Sequence, residues 1–138
     1  LVIDRSREDV VARVREITAG AGVPVVYDSV GKAMFETTIK CVAPRGYFVS
    51  FGTTTGAPPA VEAALLQKSG SLYFTRPTLA NYCAARADLL TSAQAVFDLH
   101  RKGILKPRIG QRYPLAEAAR AHADLEAGRT TGSSLLLP

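Results

Sequence analysis

Residues 23–31 read Val-Pro-Val-Val-Tyr-Asp-Ser-Val-Gly, and residues 46–52 read Gly-Tyr-Phe-Val-Ser-Phe-Gly. Each stretch is a short run of apolar, β-branched or aromatic residues that ends at a glycine. Because neither run alternates between apolar and polar residues, both are predicted to be strands buried on both faces. The segment 32–44 has about the length of a crossover helix, so residues 23–52 are predicted to form one βαβ unit.

A binding site is expected where these two strands end, because ligands of open parallel sheets bind beyond the carboxyl ends of the strands. Residues 28–31 and 51–54 follow the two strands and would share one edge of the sheet. Both segments also have a simpler interpretation. Asp-Ser-Val-Gly is a common turn composition, and the threonines that follow Gly52 suit a solvated loop.

The rest of the chain alternates between helical and strand patterns. This order predicts an α/β protein with a mainly parallel sheet. The predicted strands are 1–4, 71–75, the extended stretch 107–113 and 133–137; the predicted helices are 7–19 with Ser6 as N-cap, 60–68, 80–102 and 115–127.

Composition narrows the functional class. The chain has 138 residues, 47% of them hydrophobic, and a formal charge of +5, with its basic residues scattered along the sequence. Scattered basic residues do not favour nucleic acid as a partner. No signal peptide and no apolar run of membrane length is present, and the two cysteines are far apart, so we expect a cytoplasmic protein without a membrane partner.

The first four residues and the Gly20-Ala-Gly22 sequence suggest that a preceding unit is missing. Glycines that bind a dinucleotide phosphate must follow a strand and open a helix, whereas Gly20-Ala-Gly22 closes a helix and precedes a strand. The apolar run 1–4 also begins without a preceding turn. We therefore expect a fragment of a longer protein, without its phosphate-binding loop.

The ordered set of short motifs resembles the quinone oxidoreductases, which are zinc-independent, NADPH-using members of the medium-chain dehydrogenase/reductase superfamily. The resemblance extends over essentially the whole chain, and it depends on the order of the motifs rather than on any one of them. The motifs are Asp28-Ser-Val-Gly31, Val49-Ser-Phe-Gly52, Lys68-Ser-Gly-Ser-Leu72, Thr75-Arg-Pro77, Tyr113-Pro-Leu115, Ala121-His122 and Gly132-Ser-Ser-Leu-Leu136.

The resemblance implies a domain organisation. Residues 1–104 would be the later part of a Rossmann-like cofactor-binding domain whose first βα unit, with the phosphate loop, is missing. Residues 105–138 would be a C-terminal tail that, in the family, packs on a GroES-like catalytic domain. The isolated fragment is expected to have little or no reductase activity.

The resemblance also implies NADPH as cofactor and a set of contact residues. Arg5 falls where some relatives have a Tyr near the adenosine 2′-phosphate, with which an Arg can pair bidentately. Arg129 lies one residue from a basic position that the family uses late in the chain. The remaining implied contacts are Ser29, Val30 and Gly31 beside the cofactor, Phe51, Gly52, Thr53 and Thr54 near the nicotinamide end, and Pro77, Thr78 and Leu79 at the carboxamide.

The implied reaction is hydride transfer from NADPH to a quinone or a related α,β-unsaturated carbonyl compound. A quinone accepts hydride readily, so orientation of the cofactor is the main requirement. The family also implies a homodimer through strand 71–76. Alternatives are an enoyl or alkenal reductase of the same superfamily, a non-catalytic nucleotide-binding dimerisation module and, on net charge alone, a generic anion- or nucleic-acid-binding domain.

No catalytic acid, base or metal ligand is assigned from the sequence. His100 and His122 have no cysteine or acidic residue at ligand spacing, and Cys41 and Cys83 lie in helical patterns. Such residues are usually structural or on the surface.

Overall fold

A computed structural model describes all residues from Leu1 to Pro138 and shows two compact units, Leu1–Ala84 and Ala85–Pro138. Both units contain parallel strands, which confirms the predicted α/β class. The first unit contains α1 (Val10–Ile17), β1 (Val23–Asp28), α2 (Phe35–Ile39), β2 (Val42–Ser50), α3 (Ala63–Lys68), β3 (Tyr73–Thr75) and α4 (Leu79–Tyr82). The second contains α5 (Arg86–Arg101), β4 (Ile109–Pro114), a 3₁₀ turn (Leu115–Glu117), α6 (Ala118–Glu126) and β5 (Ser133–Leu137).

The first unit is a three-stranded parallel sheet in the order β1-β2-β3. Val26, Phe48 and Phe74 lie in register across it, and the rings of the two phenylalanines stack with centroids 5.5 Å apart. Helices α2 and α3 cover this face, with Phe35 of α2 fully buried against Phe48. One apolar core therefore lies under one face of the sheet.

The opposite face of this sheet is open within the unit. Val25, Tyr47 and Tyr73 lie in register there, and all three are exposed. Tyr27 on the same face is 72% exposed. The prediction that strands β1 and β2 are buried on both faces is therefore wrong for this unit, because α2 and α3 both pack on the Val26–Phe48–Phe74 side.

Two predicted element starts are wrong. Residues 1–4 form no strand, and Leu1 and Val2 are each 91% exposed, because no strand of the sheet pairs with them. Helix α1 begins after Asp9 rather than Ser6, because Asp9 Oδ1 accepts hydrogen bonds from the amides of Val11 and Ala12. Such a side-chain acceptor satisfies amides that have no partner within the helix.

Other boundaries differ through local backbone geometry. The predicted crossover segment 32–44 contains only the five-residue helix α2. It is shorter than predicted because β2 already begins at Val42, which pairs with Val23 of β1. The predicted helix 80–102 is interrupted between α4 and α5 at residues 83–85. Helix α3 begins at Ala63 rather than at residue 60.

The second unit pairs β4 with β5 in parallel and packs α6 against them. Its buried hydrophobic residues are Tyr113 and Ala121. Helix α5 belongs to this unit, because the boundary between the two units lies between Ala84 and Ala85 in the sequence. A division of the chain at residue 104 into a cofactor domain and a tail stays a prediction. None of the helices combines the length and apolar composition of a membrane span.

Candidate functional site

The carboxyl ends of β1 and β2 form a strand-end rim, defined here as residues 28–31 and 51–56. Backbone hydrogen bonds join its two segments: the amides of Phe51 and Gly52 donate to the Asp28 carbonyl oxygen at 2.9 and 3.2 Å. Thr55 donates twice to the Val30 carbonyl oxygen, from its amide at 3.0 Å and from its hydroxyl at 2.7 Å. The rim is thus a single hydrogen-bonded structure rather than two independent loops.

Two glycines allow the segments of the rim to approach this closely. Gly31 has φ +81°, and a Cβ atom there would collide with the carbonyl oxygen of Gly56. A Cβ on Gly52 would lie 2.8 Å from the Cα of Ser29. Glycine is required at both positions, because only glycine lacks the atom that would separate the two segments.

Asp28 organises the turn at the end of β1. It is 4% exposed, and its Oδ1 accepts hydrogen bonds from the amides of Val30 at 2.7 Å and Gly31 at 3.2 Å. Its other carboxylate oxygen, Oδ2, is buried without a hydrogen-bond partner. Ser50, its register partner on β2, is fully buried.

Arg76 joins the end of β3 to the end of β2. Its Nη1 donates to the Ser50 carbonyl oxygen at 3.0 Å and to the Ser50 hydroxyl at 3.3 Å. The adjoining cavity has a volume of about 650 Å³ and is lined by Phe51, Arg76, Pro77, Thr78, Leu79 and Tyr82. It is therefore an open cavity with an apolar wall and one guanidinium group.

The structure places ten of the twelve predicted contact residues at these strand ends. The rim contains Ser29, Val30, Gly31, Phe51, Gly52, Thr53 and Thr54, and the cavity brings Phe51 together with Pro77, Thr78 and Leu79. Arg5 instead lines a different cavity of about 830 Å³ with Met34 and Lys40. Which of the twelve touch a cofactor stays a prediction.

Arg129 lies in the second unit and is held by Asp124. Its Nε and Nη2 donate to Asp124 Oδ1 at 2.9 and 2.7 Å, while the Tyr113 hydroxyl donates to Asp124 Oδ2 at 3.0 Å. These donors hold the pKa of Asp124 below its usual range, the Arg129 hydrogen bond being the largest cause. Burial, followed by the hydrogen bond to Asp124, raises the pKa of the Tyr113 phenol.

Sequence reasoning missed the roles of three residues at the strand ends. Asp28 had been placed at the sheet edge without a function, and Arg76 and Tyr82 had not been assigned to a site. The Asp-Ser-Val-Gly sequence carries the signal for Asp28, because an Asp side chain commonly accepts hydrogen bonds from the following backbone amides. Nothing in the sequence indicates that Arg76 reaches Ser50.

The histidines and cysteines form no reactive group with one another. His100 Nδ1 lies 3.1 Å from the Leu105 carbonyl oxygen, and His122 is exposed. Cys41 and Cys83 are free, and burial raises the pKa of the Cys41 thiol. No three His, Cys, Asp or Glu side chains lie close enough together to hold a metal ion.

The family model described as zinc-binding dehydrogenase matches residues 1–136. The chain belongs to the zinc-binding dehydrogenase family. The residues of this chain do not fit a zinc ion, because no three His, Cys, Asp or Glu side chains form a ligand cluster.

Relatives within the family confirm the resemblance to quinone oxidoreductases. A quinone oxidoreductase of Pseudomonas aeruginosa is 52% identical over 136 residues, which are 99% of this chain and 42% of the relative. A 2-haloacrylate reductase of Burkholderia is 39% identical over 137 residues, 99% of this chain and 41% of that protein.

A solved structure also matches the fold. The Escherichia coli quinone oxidoreductase complexed with NADPH has a TM-score of 0.93 and 45% identity, covering 99% of this chain and 43% of that chain. This match confirms the Rossmann-like α/β class of the chain. The chain spans about two fifths of the length of the relatives it matches.

Proposed function

We propose that this chain supplies the NADPH-contacting surface of an enzyme that transfers hydride from NADPH to a quinone. The observation that carries the proposal is the strand-end rim, where seven predicted contact residues are held together by backbone hydrogen bonds. Its support from the comparisons is the 45% identity to a quinone oxidoreductase complexed with NADPH.

The residues of the rim and cavity fit a nucleotide. The rim is hydrogen-bonded backbone with exposed hydroxyl side chains at Ser29 and Thr53, and the cavity combines the Phe51 ring with the Arg76 guanidinium. An aromatic or aliphatic wall with a few placed polar groups is typical of cofactor sites. Phe51–Thr54 and Pro77–Leu79 would hold the nicotinamide end, residues 29–31 would lie beside the cofactor, and Arg5 would pair with the adenosine 2′-phosphate.

Within this site the protein's task is orientation. When bound, NADPH supplies the hydride, and a proton from water completes the two-electron reduction of the quinone to the hydroquinone. The hydrogen-bonded rim holds its amides and carbonyls in place before the cofactor arrives, which lowers the entropic part of the barrier. Arg76 keeps a positive charge at the cavity wall, where it favours an oxygen that gains negative charge.

The reaction is tested in a hybrid enzyme, in which this chain replaces the segment that it matches in the Pseudomonas aeruginosa relative. We expect NADPH oxidation with 1,4-benzoquinone, followed by loss of NADPH absorbance, and none with this chain alone. A control hybrid carries the matching Escherichia coli segment and shows whether the splice is tolerated. An inactive hybrid beside an active control contradicts the proposal, and turnover by the chain alone contradicts its inactivity.

A second candidate function is reduction of an α,β-unsaturated carboxylate. It is favoured by the 39% identity to a 2-haloacrylate reductase and by the Arg76 guanidinium in the cavity, since guanidinium pairs well with carboxylate. The hybrid enzyme is given 2-chloroacrylate and benzoquinone at equal concentration. Faster NADPH oxidation with 2-chloroacrylate would select this candidate over the quinone.

We further propose a homodimer through the outer edge of β3. Strand β3 pairs on one side only, with β2, and an unpaired apolar edge favours pairing with another chain. Sedimentation should give a dimer for this chain and a monomer for Tyr73→Asp. Tyr27→Asp, on the same sheet face but on β1, is the matched control and should stay dimeric; a monomeric parent contradicts the proposal.

A cytoplasmic location is part of the same proposal. Cys41 and Cys83 are both free, as is usual in a reducing compartment. Fractionation of cells that produce the protein, with a cytoplasmic and a periplasmic marker enzyme, tests the location directly.

A further inference from the structure

We propose that Asp28 is a positioning residue for the nicotinamide end of the nucleotide site, acting through both segments of the strand-end rim. This inference rests on the proposed function, because it assumes that the rim contacts NADPH. Asp28 itself touches no part of the ligand in the proposal. It fixes the backbone that does.

First, the Asp28 side chain fixes the backbone of residues 29–31. Asp28 Oδ1 accepts from two successive amides, those of Val30 and Gly31, at 2.7 and 3.2 Å. These bonds set the turn in which Gly31 takes φ +81°. Charged acceptors form stronger hydrogen bonds than neutral ones, so a carboxylate restrains the turn more firmly than an amide would.

Second, the main chain of Asp28 binds the other segment of the rim, residues 51–56. The Asp28 carbonyl oxygen accepts from the amides of Phe51 and Gly52 at 2.9 and 3.2 Å. One residue thereby receives four backbone hydrogen bonds, two from each segment of the rim. A shift of Asp28 would move both predicted contact segments together.

The third step is burial. Asp28 is 4% exposed and Oδ2 is enclosed without a partner, so the carboxylate is kept in place despite the free energy that burying it requires. A turn alone does not need this arrangement, since Asn or Ser would form a similar one in solvent. Burial leaves the Asp28 side chain little room to move, so the amides of Val30 and Gly31 donate to an acceptor in a fixed position.

The test uses the hybrid enzyme described above, with Asp28→Ala and Asp28→Asn. We expect Asp28→Ala to raise the KM for NADPH about tenfold, because small displacements of positioning groups weaken productive binding. Asp28→Asn keeps an acceptor oxygen without the charge and should restore part of the affinity. Inhibition by adenosine 2′,5′-bisphosphate, which lacks the nicotinamide end, should be unchanged in both variants.

The matched control is Thr18→Ala. The Thr18 hydroxyl also accepts from a backbone amide, that of Gly22 at 2.9 Å, but it does so at the end of α1, outside the rim and outside the cavities of Arg5 and Arg76. This substitution should lower the thermal midpoint while leaving the KM for NADPH within about twofold of the parent. A purely structural role for Asp28 predicts the same behaviour for Asp28→Ala and Thr18→Ala.

The outcomes separate the two proposals. An unchanged KM for NADPH in both Asp28 variants overturns the inference while the active parent hybrid still supports the proposed function. Equal weakening of NADPH and adenosine 2′,5′-bisphosphate also overturns the inference, since it indicates general loss of structure. A parent hybrid that neither binds nor oxidises NADPH overturns the proposed function, and the inference with it.

Discussion

The first unit encloses five buried apolar side chains under its sheet, whereas the second buries Tyr113 and Ala121 under its own. Both sheets are parallel, but different forces hold them. In the first unit the core and backbone hydrogen bonds dominate. In the second, the polar cluster of Tyr113, Asp124 and Arg129 joins β4, α6 and the following turn.

This difference predicts that the interactions in the two units respond differently to pH and to salt. Apolar burial and backbone hydrogen bonds change little with pH, because neither involves a group that titrates. A partly exposed ion pair depends on the ionisation of both partners and is weakened by salt. The apolar core of the first unit belongs to the first kind, and the Arg129 side chain belongs to the second.

Truncation of the core should have the largest effect. Phe48 on β2 is fully buried against Phe35 of α2 and the Phe74 ring, so Phe48→Ala should lower the free energy of unfolding by about 3–5 kcal/mol. Phe97→Ala, at a side chain 61% exposed on α5, is the control and should change it by about 0.5 kcal/mol or less. Urea denaturation of both variants measures the difference. Equal effects would show that the first unit has no such core.

Substitution in the rim should have the next largest effect. Gly31→Ala combines φ +81° with a collision against the Gly56 carbonyl, and should destabilise by about 2–3 kcal/mol. Gly20→Ala, at φ +86° with no atom within 4 Å of the added Cβ, suffers only the backbone strain, about 1 kcal/mol. The difference between the two unfolding free energies measures how closely the rim segments approach. If the two variants lose equal stability, the rim is looser than described.

The smallest effect should be the pH response of the polar cluster. The pKa of Asp124 is lowered in the folded chain, so its interactions stabilise above about pH 4 and are lost as pH falls through the lowered value. The pKa of Tyr113 is raised, so its hydroxyl contributes below about pH 10 and is lost as pH rises through the raised value.

The Arg129 Nε–H resonance in NMR spectra provides the measurement. It should broaden or shift at the acid limit, while amide signals of the core residues Val42 and Phe48 stay unchanged. Tyr113→Phe should remove the alkaline response and keep the acid one, because Arg129 still donates to Asp124. Signals of Val42 and Phe48 that move in parallel with the Arg129 signal would contradict the contrast between the two units.

The sequence predicted the elements whose signal is local. Strand β1 lies at 23–28 as predicted, because an uninterrupted apolar run bounded by glycines needs no distant partner to identify it. The start of β2 was missed, because Pro44 and Arg45, the latter at φ 62°, have the composition of a turn. The open sheet face was missed because one-sided coverage depends on where α2 and α3 pack.

The candidate site was predictable to the same extent. The rule that ligands bind beyond strand ends identified residues 29–31 and 51–54 correctly as neighbours. Asp28 and Arg76 received no role, since their importance lies in which backbone atoms they reach. Arg129 was recognised as a basic position, but its pairing with Asp124 spans a turn whose geometry sequence spacing does not reveal.

The rim is held by backbone atoms and by the side chains of Asp28 and Thr55, so its other side chains can vary without loss of these hydrogen bonds. Ser29 and Thr53 are exposed, and no hydrogen bond of the rim uses either hydroxyl. Exchange of these two side chains would alter what the rim recognises while its shape is retained. The close approach of the two segments excludes substitution of Gly31 and Gly52, whereas it allows substitution of Ser29 and Thr53. A library randomised at positions 29 and 53 would sample new ligand preferences on a constant scaffold.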